Sequence, residues 1–162
     1  MKVRDVMKPA AVCCRPETNL AAAVELLWVN NCGMLPVVDN DGKLAAVITD
    51  RDISIAVGTR NRLPSELTVN EVATKRVITC KPDDEIHEAL NTMAEKQVRR
   101  LPVVNQAGVP QGILSMDDII THGDMGKWQG CCELSSEEII RALKRLYGQQ
   151  PSARGRAHAA QA

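Results

Sequence analysis

Apolar positions along this chain fall into two kinds of run that alternate. Short aliphatic and β-branched runs read as strands: Leu35-Pro36-Val37-Val38, Val47-Ile48, Leu101-Pro102-Val103-Val104 and Ile113-Leu114. Longer stretches space their apolar residues at three and four, which predicts amphipathic helices through Leu20, Ala23, Val24 and Leu27, and through Ile86, Ala89, Leu90 and Met93. Residues 11–14 and 77–80 predict two further strands, the first ended by Pro16. Polar punctuation fits this order. Thr18 or Asn19 is placed to cap the first helix, and Asp83 or Asp84 the second. Gly33 suits a left-handed helix end. Asp41-Gly42 and Ala107-Gly108 mark hairpin turns. A further helix is expected from Asp50 to about Val57, stopped by Gly58, and another starts at Met116.

The pattern occurs twice. A shift of 66 positions carries Val3 onto Val69, Pro16 onto Pro82, Leu20 onto Ile86, Leu35 onto Leu101 and Asp52 onto Asp118, without a gap to about Ile53. Each copy is too short to bury a good core alone, so one pseudo-twofold unit is expected rather than two independent domains. The division read from the sequence is a first repeat at 1–58, a polar linker with Pro64 at 59–68, and a second repeat at 69–123. Residues 124–148 follow as an irregular segment and a C-terminal helix, and 149–162 as a disordered tail. The helix opens on a Ser135 and Glu138 capping box and carries Ile139, Ile140, Leu143, Leu146 and Tyr147. Packing of that stripe on its own domain is preferred to a partner-docking role.

The repeated motifs resemble the CBS domain, and the pair resembles a stand-alone Bateman module. The resemblance rests on Val3-Arg4-Asp5-Val6-Met7, Leu35-Pro36-Val37-Val38 and Val47-Ile48-Thr49-Asp50-Arg51-Asp52-Ile53 in the first copy. In the second copy it rests on Val98-Arg99-Arg100-Leu101-Pro102-Val103 and Gly112-Ile113-Leu114-Ser115-Met116-Asp117-Asp118-Ile119. It implies an α+β fold of two tandem β-α-β-β-α repeats packed through their sheets, and disc-shaped head-to-head or head-to-tail homodimers.

Candidate chemistry gathers where a strand runs into a helix. Thr49 and Asp52, and again Ser115 and Asp118, put a hydroxyl at a strand end and a carboxylate in the first turn of the next helix. Free N–H groups there favour a phosphate, and a carboxylate accepts hydrogen bonds from a ribose diol. The competing reading of both pairs is simple helix capping. The resemblance implies that these positions hold the ribose and phosphate of an adenine nucleotide. Arg99 and Arg100 have Gly33 and Met34 at the matching positions of the first copy, and alternation on a strand points only one of the two into a cleft. The resemblance implies a phosphate contact for basic residues there. Val12 and Cys13 for one site, and Ile78 and Thr79 for the other, are candidates for the adenine wall. Ala46 stands where the second copy has Gly112, and its methyl is expected to crowd a ligand and favour the Asp118 site over the Asp52 site.

Composition narrows the rest. Twenty basic side chains balance twenty acidic ones, which argues against nucleic acid as a partner. No apolar run reaches the ~18 residues of a membrane span, and the N-terminus lacks a signal-peptide core, so a cytoplasmic protein is expected. The six cysteines include adjacent pairs but no C-x-x-C, which suits reduced thiols; a metal site of His122, Cys131 and Cys132 is the weaker alternative. No catalytic motif emerges, and neither His87 nor His122 has a nucleophile at readable spacing. The expected function is a non-catalytic sensor for AMP, ADP or ATP, with NAD and S-adenosylmethionine as alternative ligands, no required cofactor and a protein effector as a further partner. The rival reading is a dimerising or partner-docking scaffold that binds no nucleotide.

Overall fold

The structure is a computed structural model, and it describes residues 1–123 and 134–148. The elements follow in the order β1 (Lys8–Pro9), α1 (Leu20–Val29), β2 (Met34–Val38), β3 (Leu44–Thr49), α2 (Asp50–Arg60) and α3 (Val69–Val72). They continue with α4 (Ile86–Lys96), β4 (Arg100–Val104), β5 (Pro110–Ser115), α5 (Met116–Gly123) and α6 (Ser136–Gly148). The expected mixed fold of two repeats is present. Antiparallel hairpins β2–β3 and β4–β5 form in the same register, with Leu35 opposite Ile48 and Leu101 opposite Leu114. Their turns are built alike: Asp39 Oδ1 accepts from Asp41 and Lys43 N–H, as Asn105 Oδ1 does from Ala107 and Val109 N–H. Gly42 and Gly108 hold φ of +77° and +82°, a region that favours glycine.

The segments leading into the two repeats are exchanged. β1 comes from the first copy but pairs with β5 of the second, through Lys8–Ile113 and Pro9–Gly112. The matching bridge, Thr74 to Val47, ties the second copy's lead-in to the first copy's hairpin. Helix starts follow the same exchange: Ile86 N–H donates to Met1 O (3.1 Å), and Leu20 N–H to Leu67 O (2.9 Å). The apolar side chains go with the backbone. Val3 and Val6 sit in the second copy's core, with Ile86, Leu101, Leu114 and Ile119. Leu67 and Val69 sit in the first copy's core, with Leu20, Leu35, Ile48 and Ile53. The described residues thus form two cores rather than one, each completed by the other copy. The polar linker expected at 59–68 accordingly ends in the fully buried Leu67.

Several local expectations change. Residues 11–14 and 77–80 are extended but form no strand; one residue of each makes a parallel bridge, Cys14 to Val37 and Cys80 to Val103. Helix α1 is capped by Asn19, whose side chain accepts from Ala22 N–H (2.9 Å). It closes through Asn31 at φ 46° rather than Gly33. Helix α2 runs past Gly58 to Arg60, with Asn61 left-handed after it. Neither Asp83 nor Asp84 caps α4: the Asp84 carboxylate accepts from Lys81 N–H (2.7 Å), while Glu85 at the cap position is drawn to the Lys2 ammonium.

Helix α6 packs on α4 of its own chain, burying Ile139, Ala142 and Leu146 against the second core. The capping box forms as expected, with Glu138 accepting from Ser135 N–H and Oγ. Those two bonds lower the Glu138 pKa, helped by nearby His87 and Arg141. Ile140 and Tyr147 face outward. Under α6 lie Leu90 and Ala94, 3% and 4% exposed; Val24 and Trp28 at the same repeat positions on α1 are 45% and 84% exposed.

Candidate functional site

Each expected hydroxyl–carboxylate pair forms a capping box. Asp52 Oδ2 accepts from Thr49 N–H (3.0 Å) and Oγ1 (2.7 Å), and Asp52 N–H returns a bond to Thr49 Oγ1 (3.2 Å). Ser115 and Asp118 repeat this, with Ser115 N–H at 2.9 Å and a short bond from Ser115 Oγ to the same Asp118 oxygen. The hydroxyl proton is therefore committed to the carboxylate rather than turned to a ligand. One carboxylate oxygen is pinned at each helix start and the other is left over. Asp118 Oδ1 lies 3.7 Å from Lys8 Nζ. Among the described residues, Asp52 Oδ1 has no hydrogen-bond or ion-pair partner. Capping and ligand contact are thus compatible, because they use different oxygens.

Two clefts carry these pairs, and each is built from both copies. The Ser115–Asp118 cleft, of about 290 Å³, is closed by residues 8–12 and by the loop after α1. The Thr49–Asp52 cleft, of about 280 Å³, is closed by Thr74, Arg76, Val77 and Ile78 of the second copy's lead-in and by Val98 to Arg100. Both lie near the lower end of the ~300–1,000 Å³ typical of small-molecule sites. Val12 borders the first cleft and Ile78 the second. Cys13 and Thr79 border neither. In an extended segment neighbouring side chains alternate: the Cys13 thiol donates to Ala11 O (3.4 Å), and Thr79 is exposed. The next residues, Cys14 and Cys80, face the cores, and burial pushes their thiols up to about 11 and about 12. They are inert packing groups.

The charges sort unevenly. Arg99 borders the Thr49–Asp52 cleft and not the Asp118 cleft. Arg100 borders both, and its guanidinium stands over Gly33: a Cβ built there would lie 2.8 Å from Nη2. Arg51 and Arg76 join Arg99 and Arg100 around Thr49 and Asp52, against the carboxylates of Asp50 and Asp52. The other cleft has Lys8 and Arg100 against Asp117 and Asp118. Sequence reasoning missed Lys8, Arg51 and Arg76. Arg51 lies inside the repeated motif and was open to notice. Lys8 and Arg76 reach their clefts only through the exchanged lead-ins, which leave no trace in periodicity.

Gly112 and Ala46 also change meaning. Gly112 is glycine because Lys8 O of β1 passes 2.4 Å from where its Cβ would be. Ala46 is buried in its own core and borders neither cleft. The expected crowding of a ligand by its methyl does not arise. Of the weaker metal alternative, Cys131 and Cys132 lie outside the described residues. Within those residues no three His, Cys, Asp or Glu side chains are grouped to hold a metal, and no helix is long and apolar enough to cross a membrane.

Comparison with known proteins places this architecture. Hypoxic response protein 1 of Mycobacterium tuberculosis is 33% identical over 119 residues, which cover 74% of this chain and 82% of that protein. The CBS domain pair of protein MJ0100, solved in complex with 5′-methylthioadenosine and S-adenosyl-L-methionine, superposes with a TM-score of 0.70 at 26% identity. It covers 75% of this chain and 94% of its own. CBSX2, solved in complex with AMP, gives a TM-score of 0.65 at 27% identity, again over 75% of this chain and 94% of its own. The family model for the CBS domain matches residues 3–58 and 69–123. With both repeats matched and the pair architecture shared, the chain belongs to the CBS domain family, carrying two such domains in tandem.

Proposed function

We propose that the protein is a non-catalytic regulatory module that binds an adenine nucleotide or adenosyl ligand in the clefts between its CBS domains. The observation that carries this reading is the convergence of Arg51, Arg76, Arg99 and Arg100 on the cleft of Asp52, whose Oδ1 has no partner among the described residues. A carboxylate oxygen accepts from a ribose diol, guanidiniums pair with phosphate, and Ile78 with Val47 offers an apolar wall for a base. The ligand of this cleft carries phosphate, as AMP, ADP and ATP do. The complexes of MJ0100 and CBSX2 support the adenosyl class. The bound module then signals to a protein effector.

The proposal includes a homodimer in the cytoplasm. The exposed face of α1, with Val24, Trp28 and Val29 and the single charge of Glu25, supports a self-complementary apolar contact with a second copy. Free thiols at Cys13, Cys14, Cys32 and Cys80 suit a reducing compartment.

Calorimetry with adenosine, AMP and ATP tests the ligand. Asp52→Asn keeps a capping oxygen but removes the charge, and is expected to lower AMP affinity about tenfold to a hundredfold, the range of a charge-assisted contact. Arg99→Ala is expected to weaken ATP more than adenosine. No binding of any of the three ligands by the wild type would overturn the reading and leave the scaffold alternative. Sedimentation of the same sample reads the dimer, and a monomer would remove that part.

A further inference from the structure

Met34 and Arg100 occupy the same position in the two repeats, and among the described residues they are the ones that border both clefts. The fold therefore places one side chain from each copy at the seam between the sites. In this chain one of the two is a cation and the other a thioether. The guanidinium rests over Gly33, which borders only the Ser115–Asp118 cleft. If it is drawn to the other side, the first cleft is left with Lys8 against Asp117 and Asp118. The Thr49–Asp52 cleft keeps Arg51, Arg76 and Arg99 in either case. A guanidinium is the group that pairs with phosphate here, and one cannot neutralise two phosphate-bearing ligands.

We propose that Arg100 is a single cation shared by the two clefts, so that an anionic ligand in one weakens anionic binding in the other. This rests on the reading of the clefts as adenine-ligand sites and adds a rule for their joint occupancy. With Arg100 on the Thr49 side, the Ser115–Asp118 cleft has an excess of carboxylate and favours an uncharged adenosyl ligand over a nucleotide. The two sites are then unlike in use although alike in fold, and the ligand pair that fills the module is one anion and one neutral molecule.

Calorimetric titration of the whole chain with AMP, and separately with adenosine, reads this directly. The wild type is expected to bind AMP in two steps, the second about tenfold to a hundredfold weaker, the range set by one charge-assisted contact. Arg100→Met copies the residue of the first repeat; it is expected to lower the first AMP step toward the second and to leave adenosine unchanged. Met34→Arg gives each cleft its own cation and is expected to raise the second AMP step toward the first. Gly33→Ala, which pushes the guanidinium off the first cleft, is expected to widen the gap between the steps. Two equal AMP steps in the wild type, or a gap that neither Arg100→Met nor Met34→Arg alters, would overturn the sharing while leaving the ligand class intact. Absence of both AMP and adenosine binding would overturn the ligand reading and the sharing with it.

Discussion

Gly112 and Gly58 show how differently two glycines constrain the same chain. A Cβ on Gly112 would meet backbone, the carbonyl oxygen of Lys8 at 2.4 Å, and backbone in a paired strand cannot step aside cheaply. Gly112→Ala is therefore expected to drive β1 off β5 and to destabilise the protein by about 1–3 kcal/mol. A Cβ on Gly58 meets none of the described residues within 4 Å, and the residue lies inside α2. Gly58→Ala is expected to stabilise by about 0.4–1 kcal/mol, through a less flexible unfolded chain. Chemical denaturation of the two variants checks both signs, and equal stability of Gly112→Ala and wild type would sink the account of β1. The contrast between Gly112 and Ala46 was legible in the sequence, but its cause was not. A glycine reports that something comes close without saying whether it is a ligand or the chain itself. The same limit applies to Cys13 and Thr79, since in an extended run only the structure decides which neighbour faces the cleft.

At the scale of elements, periodicity located the helices well and located their ends poorly. Leu20, Ala23 and Leu27 are buried along α1, as are Ile86, Ala89, Leu90 and Met93 along α4. The left-handed residues that end or follow helices are Asn31, Asn61 and Gln97, not the nearby Gly33 or Gly58. Asparagine tolerates that region, so it competes with glycine for the role, and Gln97 takes the same conformation at the repeat position of Asn31. Helix α6 was legible from its stripe and its capping box. Its partner was settled only by packing, on the face that α1 leaves bare. Deleting residues 134–162 uncovers Leu90 and Ala94, and Leu146→Ala opens a hole in the same contact, at a cost of about 2–5 kcal/mol. Both changes are expected to lower the melting temperature. An unchanged transition in the deletion variant would mean that α6 contributes nothing to the second core.

At the scale of the whole molecule, the duplication was plain in the sequence, and the exchange between copies was hidden. Neither Val3 nor Val69 carries any mark that its core lies in the other half. The exchange predicts the behaviour of an isolated repeat. Residues 1–62 lack Leu67 and Val69, which are fully buried in the first core, and retain Val3 and Val6 with no core to enter. Each fully buried aliphatic side chain is worth about 1.5–3 kcal/mol, a large share of a small domain's stability. The fragment is expected to be unfolded, or to self-associate and recover the missing residues from a second fragment. A monomeric fragment with a sharp thermal transition of its own would contradict this.

The exchange of lead-in segments also fixes how the molecule responds to a pull. Tension applied at Met1 runs through Val3 and Val6 to β1, and so acts first on the half of the protein encoded last. Peeling β1 from β5 removes one wall of the Ser115–Asp118 cleft while the Thr49–Asp52 cleft keeps all of its own. A load on the N-terminus is therefore felt at one cleft and not at the other.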